Sequence, residues 1–312
     1  MQHPKVTVVG SANVDLVIRA ERMPTKGETL IGETFDIFTG GKGFNQATAA
    51  ARLGTEVTLI GRIGDDPFAD TLRSAIESEH IDSRFVKTDV ESGTGIATIV
   101  VEPDGDNSII VVPRANMRLT SKDITDASDS IAEADVLLLQ LETPIEASQT
   151  AINIAKANNT IVILDPAPAR PLPPSLLAQV DILTPNATEA ALLSGHAVNT
   201  LEEAIVTAET LQTQIATDSH AAVVLTLGEQ GVLLCTATQS EHIPALSVDA
   251  VDTTGAGDAF SGALATALAN GDELSAAVRF AIAAGAAAVT VLGATPSMPT
   301  REKIEAILAK SC

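Results

Sequence analysis

Tryptophan and tyrosine are absent from this sequence, and phenylalanine occurs only seven times. With 45% hydrophobic residues in 312 positions, the core must be assembled from Ala, Val, Leu and Ile, which suits buried parallel strands packed on helices. Cysteine is equally scarce. Cys235 lies inside an apolar run and Cys312 at the terminus, so neither a disulfide framework nor a thiolate metal site is supported. The five histidines (His3, His80, His196, His220, His242) stand apart from the polar clusters described below, which argues against His–Ser or His–Cys nucleophilic catalysis and histidine metal centres. Cations are few: 19 Lys and Arg against 40 Asp and Glu leave a net charge of −21. Such a surface repels nucleic acid and anionic membrane, both of which need clustered cations, although a saline habitat would leave the same imbalance. No stretch of ~18 strongly apolar residues occurs, so no membrane span is expected. The start, MQHPKVTVVG, runs into a strand pattern without an apolar signal region. The protein is expected in the cytoplasm, with the sequons at Asn158 and Asn186 as chance matches.

What is present is an alternation. Short β-branched runs (VTVVG, VTLIGRIG, VLLLQLE, TIVILDPAP, VDILTPN, AVVLTLG) are separated by alanine-rich stretches of helical period such as NQATAAARLG, IEASQTAINIAKANN and LEEAIVTAETLQTQIA. This predicts an α/β fold with a central, mostly parallel sheet and helices on both faces, ligands lying at the carboxyl ends of the strands. Two stretches break the rhythm. Residues 14–40 alternate in strand fashion around MPTKGE, and 95–112 form a hairpin around Asp104-Gly105. The expected organisation is a main domain from 1–13, 41–94 and 113–312, with 14–40 and 95–112 as a small β-sheet beside the ligand edge. That sheet is positioned to act as a lid that excludes water; decorative hairpins or an oligomer contact are the plainer readings.

The polar clusters carry the chemistry. In VDTTGAGDAF, residues 251–260, the small residues Gly255, Ala256 and Gly257 precede Asp258 at the head of a helical pattern. Converging backbone N–H groups and a helix N-terminus suit a phosphoryl group. An acid there repels that group unless it has a task, and accepting the proton of an attacking hydroxyl is such a task. On this stretch alone, Asp258 as a simple helix cap explains the pattern equally well. A second cluster, FTGGKGFNQATAAARLG, sets Gly40, Gly41 and Gly43 around Lys42 and Asn45. It fails the Walker pattern because Lys42 is followed by Gly43 rather than Ser or Thr. Lys42 and Asn45 can donate; Asn13 and Asp15 after the first strand and Glu142 after VLLLQL add further partners for sugar hydroxyls. Each taken singly is also a common turn former or cap. A third group places Asn186 and Glu189 at a strand-to-helix junction and Thr226, Gly228 and Gly231 in a tight turn. Phosphate oxygens and hydrated Mg²⁺ fit such groups, and so does a plain helix cap, the stronger reading of Glu189 alone.

Together these segments resemble the ribokinase-like carbohydrate kinase family. GGKGFNQA at 40–47 is similar to its first signature and DTTGAGDAF at 252–260 to its second; GSANVDLV, GRIGDD, QLETP, DPAPAR, TPNATEA and TLGEQG follow its order, from about Val6 to Pro299. DPAPAR and the glutamate of QLETP bring the resemblance nearer the ribose branch than the adenosine, fructose or ketodeoxygluconate branches. It implies ATP-dependent phosphorylation of D-ribose at the 5-hydroxyl, with Asp258 as base and the amides of Gly255, Ala256 and Gly257 as anion hole. It further implies that Asn13, Asp15, Gly41, Lys42, Asn45 and Glu142 hold the sugar. Asn186 and Glu189 then lie near phosphates and Mg²⁺, and Thr226, Gly228 and Gly231 border the nucleotide. A monovalent cation, commonly K⁺, is implied at Asp252, Thr254, Ala288, Val291, Gly293 and Ser297, and a homodimer through the lids.

The sequence departs from the family pattern in four places. Arg114-Ala115-Asn116 replaces the usual Gly-Ala-Asn, which predicts a stiffer lid hinge. Ile282 stands where a polar residue often lies near the adenine, which leaves ATP over GTP less determined. Val291 replaces a frequently basic residue, and bulky Phe44 is expected to tighten the sugar pocket. The alternatives within the fold are kinases of another pentose, of a nucleoside such as pseudouridine, or of a ketohexose. From a different class comes a catalytically silent sugar-binding protein, against which the intact base and small-residue turn argue.

Overall fold

The computed structural model describes residues 3–103, 107–216 and 221–310; the expected turn at Asp104-Gly105, His220 and Cys312 lie outside the described residues. The strands are β1 (Lys5–Val9), β2 (Asn13–Arg19), β3 (Thr34–Gly40), β4 (Glu56–Gly64), β5 (Asp82–Asp89), β6 (Gly95–Val101) and β7 (Asn107–Val112), then β8 (Val136–Leu139), β9 (Ile161–Leu164), β10 (Ile182–Leu183), β11 (Ala222–Thr226), β12 (Val232–Thr236) and β13 (Ser240–Ile243). The large sheet runs β13-β12-β11-β10-β9-β8-β1-β4-β5, parallel from β5 to β11, with β12 and β13 added as an antiparallel edge. This is the mostly parallel α/β sheet that the alternation predicts.

Central strands such as VLLL in β8 and IVIL in β9 show no polar alternation because both of their faces are covered. Val8, Leu138, Ile163 and Val224 point into one apolar cluster with Ala263, Leu264 and Ala281 from the helices Ala256–Ala269 and Leu274–Ala288. Val9, Leu137, Leu139 and Val223 point into the opposite one, with Ala147, Ile152 and Ala208 from the helices Ile145–Ala157 and Leu201–Gln212. Phe44 is fully buried in the first cluster, so its bulk fills core space and does not narrow a sugar pocket.

One close approach positions the site. A Cβ on Gly262 would stand 2.6 Å from Ala49 Cβ and 2.6 Å from the Gln46 carbonyl, so glycine there lets the helices Lys42–Arg52 and Ala256–Ala269 pack nearly backbone to backbone. The two signature segments, far apart in sequence, thereby share one wall.

The small sheet has the order β3-β2-β6-β7, with β2 and β6 parallel and each hairpin antiparallel. Residues 28–32, which alternate like a strand, form none: β2 ends at Arg19, opposite Thr34, and among the described residues no strand pairs with them. The return from β7 to the main sheet is a short 3₁₀ turn, Arg114–Arg118, whose first residue has φ 46. Arginine takes a left-handed conformation there, one that glycine adopts without strain. Its guanidinium lies over Gly93 and donates to the Thr94 carbonyl at 3.2 Å, bridging the two chain segments that enter and leave the small sheet.

Candidate active site

Asp258 occupies the first turn of the helix Ala256–Ala269 and is buried. Gly255 is the N-cap, with φ 79 and no side-chain cap bond, so the capping reading of Asp258 does not hold. Its carboxylate turns to the other signature helix instead. Asn45 Nδ2 donates to Oδ2 at 2.9 Å, Gln46 Nε2 donates to Oδ1 at 3.0 Å, and the Lys42 ammonium lies 3.9 Å from Oδ1. Asn45 is held in turn by the Thr295 hydroxyl, 2.7 Å from Asn45 Oδ1.

The other expected sugar-site residues surround this point. Asn13 and Asp15 are buried on β2, where Asn13 Oδ1 accepts from Asn116 Nδ2 at 2.7 Å. Glu142, just beyond β8, accepts from the Lys42 backbone N–H at 3.0 Å and from the Ser11 hydroxyl. Gly41 is the N-cap of the helix carrying Lys42, and Gly43 lies within its first turn rather than before it. Burial, with Glu142 and Asp258 nearby, pushes Asp15 up to about 7. Asp165, which follows β9, is pushed up to about 8 by burial and by Asp258 and Glu189, against the pull of Lys42. Burial works against the Lys42 charge, but the carboxylates of Asp258, Asp165, Glu142 and Glu189 outweigh it and hold its pKa above the usual lysine range.

Next to this cluster opens a cleft of about 890 Å³, lined among others by Asn186, Thr226, Gly228, Gly231, Gly257 and Ile282. The volume suits a small-molecule ligand. Asn186 and Glu189 form a reciprocal capping box at the helix Ala187–Ser194, so the helix-cap reading holds for this pair. Burial raises the Glu189 pKa. Gly228 begins a 3₁₀ turn closed by Gly231, the tight turn expected there.

Of the expected cation residues, Asp252 is bonded to Thr254 and Gly293, whereas the bonds of Ala288, Val291 and Ser297 are local. The N–H groups of Val251 and Asp252 both donate to the Val289 carbonyl, at 2.7 and 3.1 Å. Asp252 accepts from the Thr254 and Gly293 N–H groups at 2.9 and 2.8 Å, which hold its carboxyl below the usual range although burial opposes the charge. Ala288 and Val291 are joined by a backbone bond of 3.0 Å, and Ser297 Oγ donates to the Ala294 carbonyl at 2.7 Å.

Sequence reasoning missed Ser11, Gln46, Gln140, Asp165, Asn116 and Thr295. Gln46 and Asp165 stand inside quoted motifs, GGKGFNQA and DPAPAR, and an acid directly after the apolar run IVIL is a visible signal. Gln140 likewise opens the quoted motif QLETP directly after the run VLLL, whereas Thr295 carries no such mark.

Comparison with known proteins identifies the family. The family model described as pfkB family carbohydrate kinase matches residues 3–301. The chain is 41% identical to a ribokinase of Haemophilus influenzae, covering 96% of each chain. It is 36% identical to a deoxyribokinase of Salmonella typhi, covering 97% of this chain and 98% of that one. Among solved structures, an Arabidopsis thaliana ribokinase complexed with ribose and ATP superposes with a TM-score of 0.89 at 32% identity, covering 98% of this chain and 99% of that one. A matching family model across nearly the whole length, with full-length relatives well above 30% identity, makes this chain a member of the pfkB family of carbohydrate kinases.

Proposed function

We propose that this protein transfers the γ-phosphoryl group of ATP to the 5-hydroxyl of D-ribose, with Asp258 as general base. The observation that carries this reading is the position of Asp258: a buried carboxylate bonded to Asn45 and close to Lys42, next in sequence to Gly257, which lines the large cleft. Ribose occupies the pocket of Asn13, Asp15, Gly41, Lys42, Asn45 and Glu142. The nucleotide lies in the cleft along Thr226, Gly228 and Gly231, its adenine beside Ile282. A Cβ on Gly257 would meet nothing within 4 Å, so there is open space for a phosphoryl group beside Gly257, at the turn of Gly255, Ala256 and Gly257 that forms the anion hole. Asp258 accepts the hydroxyl proton as the oxygen attacks Pγ; the new O–P bond forms as the β,γ-bridging bond breaks, and ADP leaves. Lys42 and the turn amides balance the charge on the transferring group.

Among the described residues no group of three or more His, Cys, Asp or Glu could hold a metal ion. Asn186 and Glu189, engaged with each other in the capping box, would stand near a Mg²⁺ ion held mainly by nucleotide phosphates and water. When bound, Mg²⁺ neutralises phosphate charge. The loop of Asp252, Thr254, Ala288, Val291, Gly293 and Ser297 offers one carboxylate among carbonyl and hydroxyl oxygens, a set that suits a monovalent cation such as K⁺. The small sheet acts as a lid over the sugar and as the contact of a homodimer, the main domain being 1–13, 41–94 and 113–312. Among the described residues no helix is long and apolar enough to cross a membrane. Use of ATP fits the expected cytoplasmic location.

The test is ADP release from purified protein with MgATP and a panel of D-ribose, 2-deoxy-D-ribose, pseudouridine and D-fructose, with K⁺ present or replaced by Na⁺. Ribose is expected to give the highest kcat/KM, and K⁺ to raise turnover; a better acceptor in the panel would reassign the substrate. Asp258→Asn is expected to lower kcat by ~10²–10⁴-fold with ribose binding retained.

A further inference from the structure

The carboxylate of Asp258 is gripped at both oxygens, and the second grip involves residues outside the expected site. Gln46 and Gln140 are fully buried. Burying an amide is costly unless its polar atoms are paired, so each such side chain in an aliphatic core calls for a physical account. Gln46 Nε2 carries two hydrogens and spends both: one bond of 2.7 Å to Asp165 Oδ2 and one of 3.0 Å to Asp258 Oδ1. Gln46 Oε1 accepts from Gln140 Nε2 at 2.6 Å. All polar atoms of the Gln46 amide are thereby paired, while Gln140 Oε1 has no partner among the described residues; turning Gln46 alone would set its N–H groups against those of Gln140.

We propose that Gln46 is a positioning residue for Asp258, holding the base in one orientation through a buried amide relay that begins at Gln140. The inference deepens the kinase reading and rests on it. Asn45 and Gln46 are consecutive on one helix, so their side chains diverge and reach the two carboxylate oxygens from different directions. A carboxylate held by one donor can turn about its Cβ–Cγ bond, whereas two donors fix its plane. A base displaced by ~1 Å costs about 10²-fold in rate. Gln46 needs to touch neither sugar nor nucleotide to act in this way.

The charged surroundings make the role readable. Lys42 approaches Asp258 from the same helix as Gln46. Asp165 faces it from the end of β9; Asp15 on β2, and more remotely Glu189 on the helix Ala187–Ser194, add negative charge, while Glu142 beyond β8 acts on Asp15 and Lys42. Each N–H given to a carboxylate favours its charged form, and each added carboxylate disfavours it. Gln46→Glu exchanges the first for the second at nearly constant shape. Gln46→Leu removes the donors and keeps the bulk, and Gln140→Leu leaves Gln46 in place but frees its amide to turn.

The experiment is steady-state turnover of D-ribose with MgATP between pH 5.5 and 9 for the wild type and the three variants, with ribose affinity measured by calorimetry. Gln46→Leu is expected to lose about 10- to 100-fold in kcat with ribose affinity changed by less than about threefold. Gln46→Glu is expected to move the acid limb of the kcat profile up by about one pH unit, and Gln140→Leu to give a smaller loss of the same kind. Should Gln46→Leu fail to fold, the other two variants read the same relay. Folded variants with kcat within about threefold of wild type and an unmoved acid limb would overturn the inference, as would equal losses in kcat and ribose affinity. A wild type that binds ribose but releases no ADP would overturn the kinase reading and this inference together.

Discussion

Asn45 Nδ2 lies 2.9 Å from Asp258 Oδ2, although 213 residues separate the two in the chain. Asn45 Oδ1 lies 2.7 Å from the Thr295 hydroxyl, whose one hydrogen it shares with the Thr39 carbonyl at 2.6 Å, so the amide is in contact at both ends. Its main work is then on the base, with one remaining N–H for the sugar. Asn45→Leu is expected to lower kcat by about 10- to 100-fold and to raise the KM for ribose much less. Steady-state kinetics decide it: a dominant KM effect would return Asn45 to a purely sugar-holding role.

Asp15 is expected to give the proposed sugar pocket a pH dependence. Burial, with Glu142 and Asp258, pushes its carboxyl up to about 7. A sugar hydroxyl that donates to this group favours the ionised form, so binding below about pH 7 releases a proton and affinity strengthens as pH rises through that value. Calorimetry at pH 6 and pH 8, in buffers of different ionisation enthalpy, measures both effects. Asp15→Asn is expected to bind ribose weakly with a flat pH profile; a retained slope would point to another group.

These predictions draw on parts of the molecule that differ in how openly the sequence declares them. The runs VLLL and IVIL announce themselves as central strands because coverage on both faces removes polar alternation. The glycine-rich segments mark the helix starts at Lys42 and Ala256 through their small residues. By contrast β12 and β13 had no helix between them to mark the crossover, and they form the antiparallel edge. Asp258, Lys42 and Asn45 were legible as one site, but the side chains that hold the site residues from behind were not. Ser11 on Glu142, Gln140 on Gln46 and Thr295 on Asn45 are contacts between distant segments, and no local pattern encodes them. Arg114 was legible as a departure from glycine, while its left-handed backbone required coordinates.

Asp165 links the site to stability. Its folded-state pKa of about 8 lies far above the ordinary value of 3.8, so the folded chain binds a proton there that the unfolded chain has released. Its contribution to stability is therefore greatest at acid pH and is lost progressively as pH rises toward 8. Asp165→Asn cannot ionise and escapes this loss. Its melting temperature relative to wild type is expected to climb between pH 5 and pH 8, by on the order of a few degrees, and to level off above. Thermal denaturation across that range measures it, and a difference independent of pH would show that Asp165 is already ionised at pH 5.

The small sheet exposes apolar side chains in a geometrically coherent set. Ile37, Leu16, Thr98 and Ile110 form one row across β3, β2, β6 and β7, and so share a face. Phe35 and Val112 lie two residues along their strands and join that face; Phe35, Ile37 and Ile110 are each at least half exposed, at 57%, 50% and 57%. Such a patch on a chain carrying net charge −21 favours self-association through a locally uncharged surface. Replacing Ile37 and Ile110 together by lysine places two ammonium groups in each copy of the contact. Light scattering after size exclusion is expected to report a dimer for the wild type and a monomer for Ile37→Lys/Ile110→Lys, with the melting temperature of the main sheet little changed. A dimer that survives both charges would move the contact to another surface, and a monomeric wild type would remove it. If the lid also depends on its partner for closure, the monomeric variant loses ribose affinity while the Asp258 site itself remains intact.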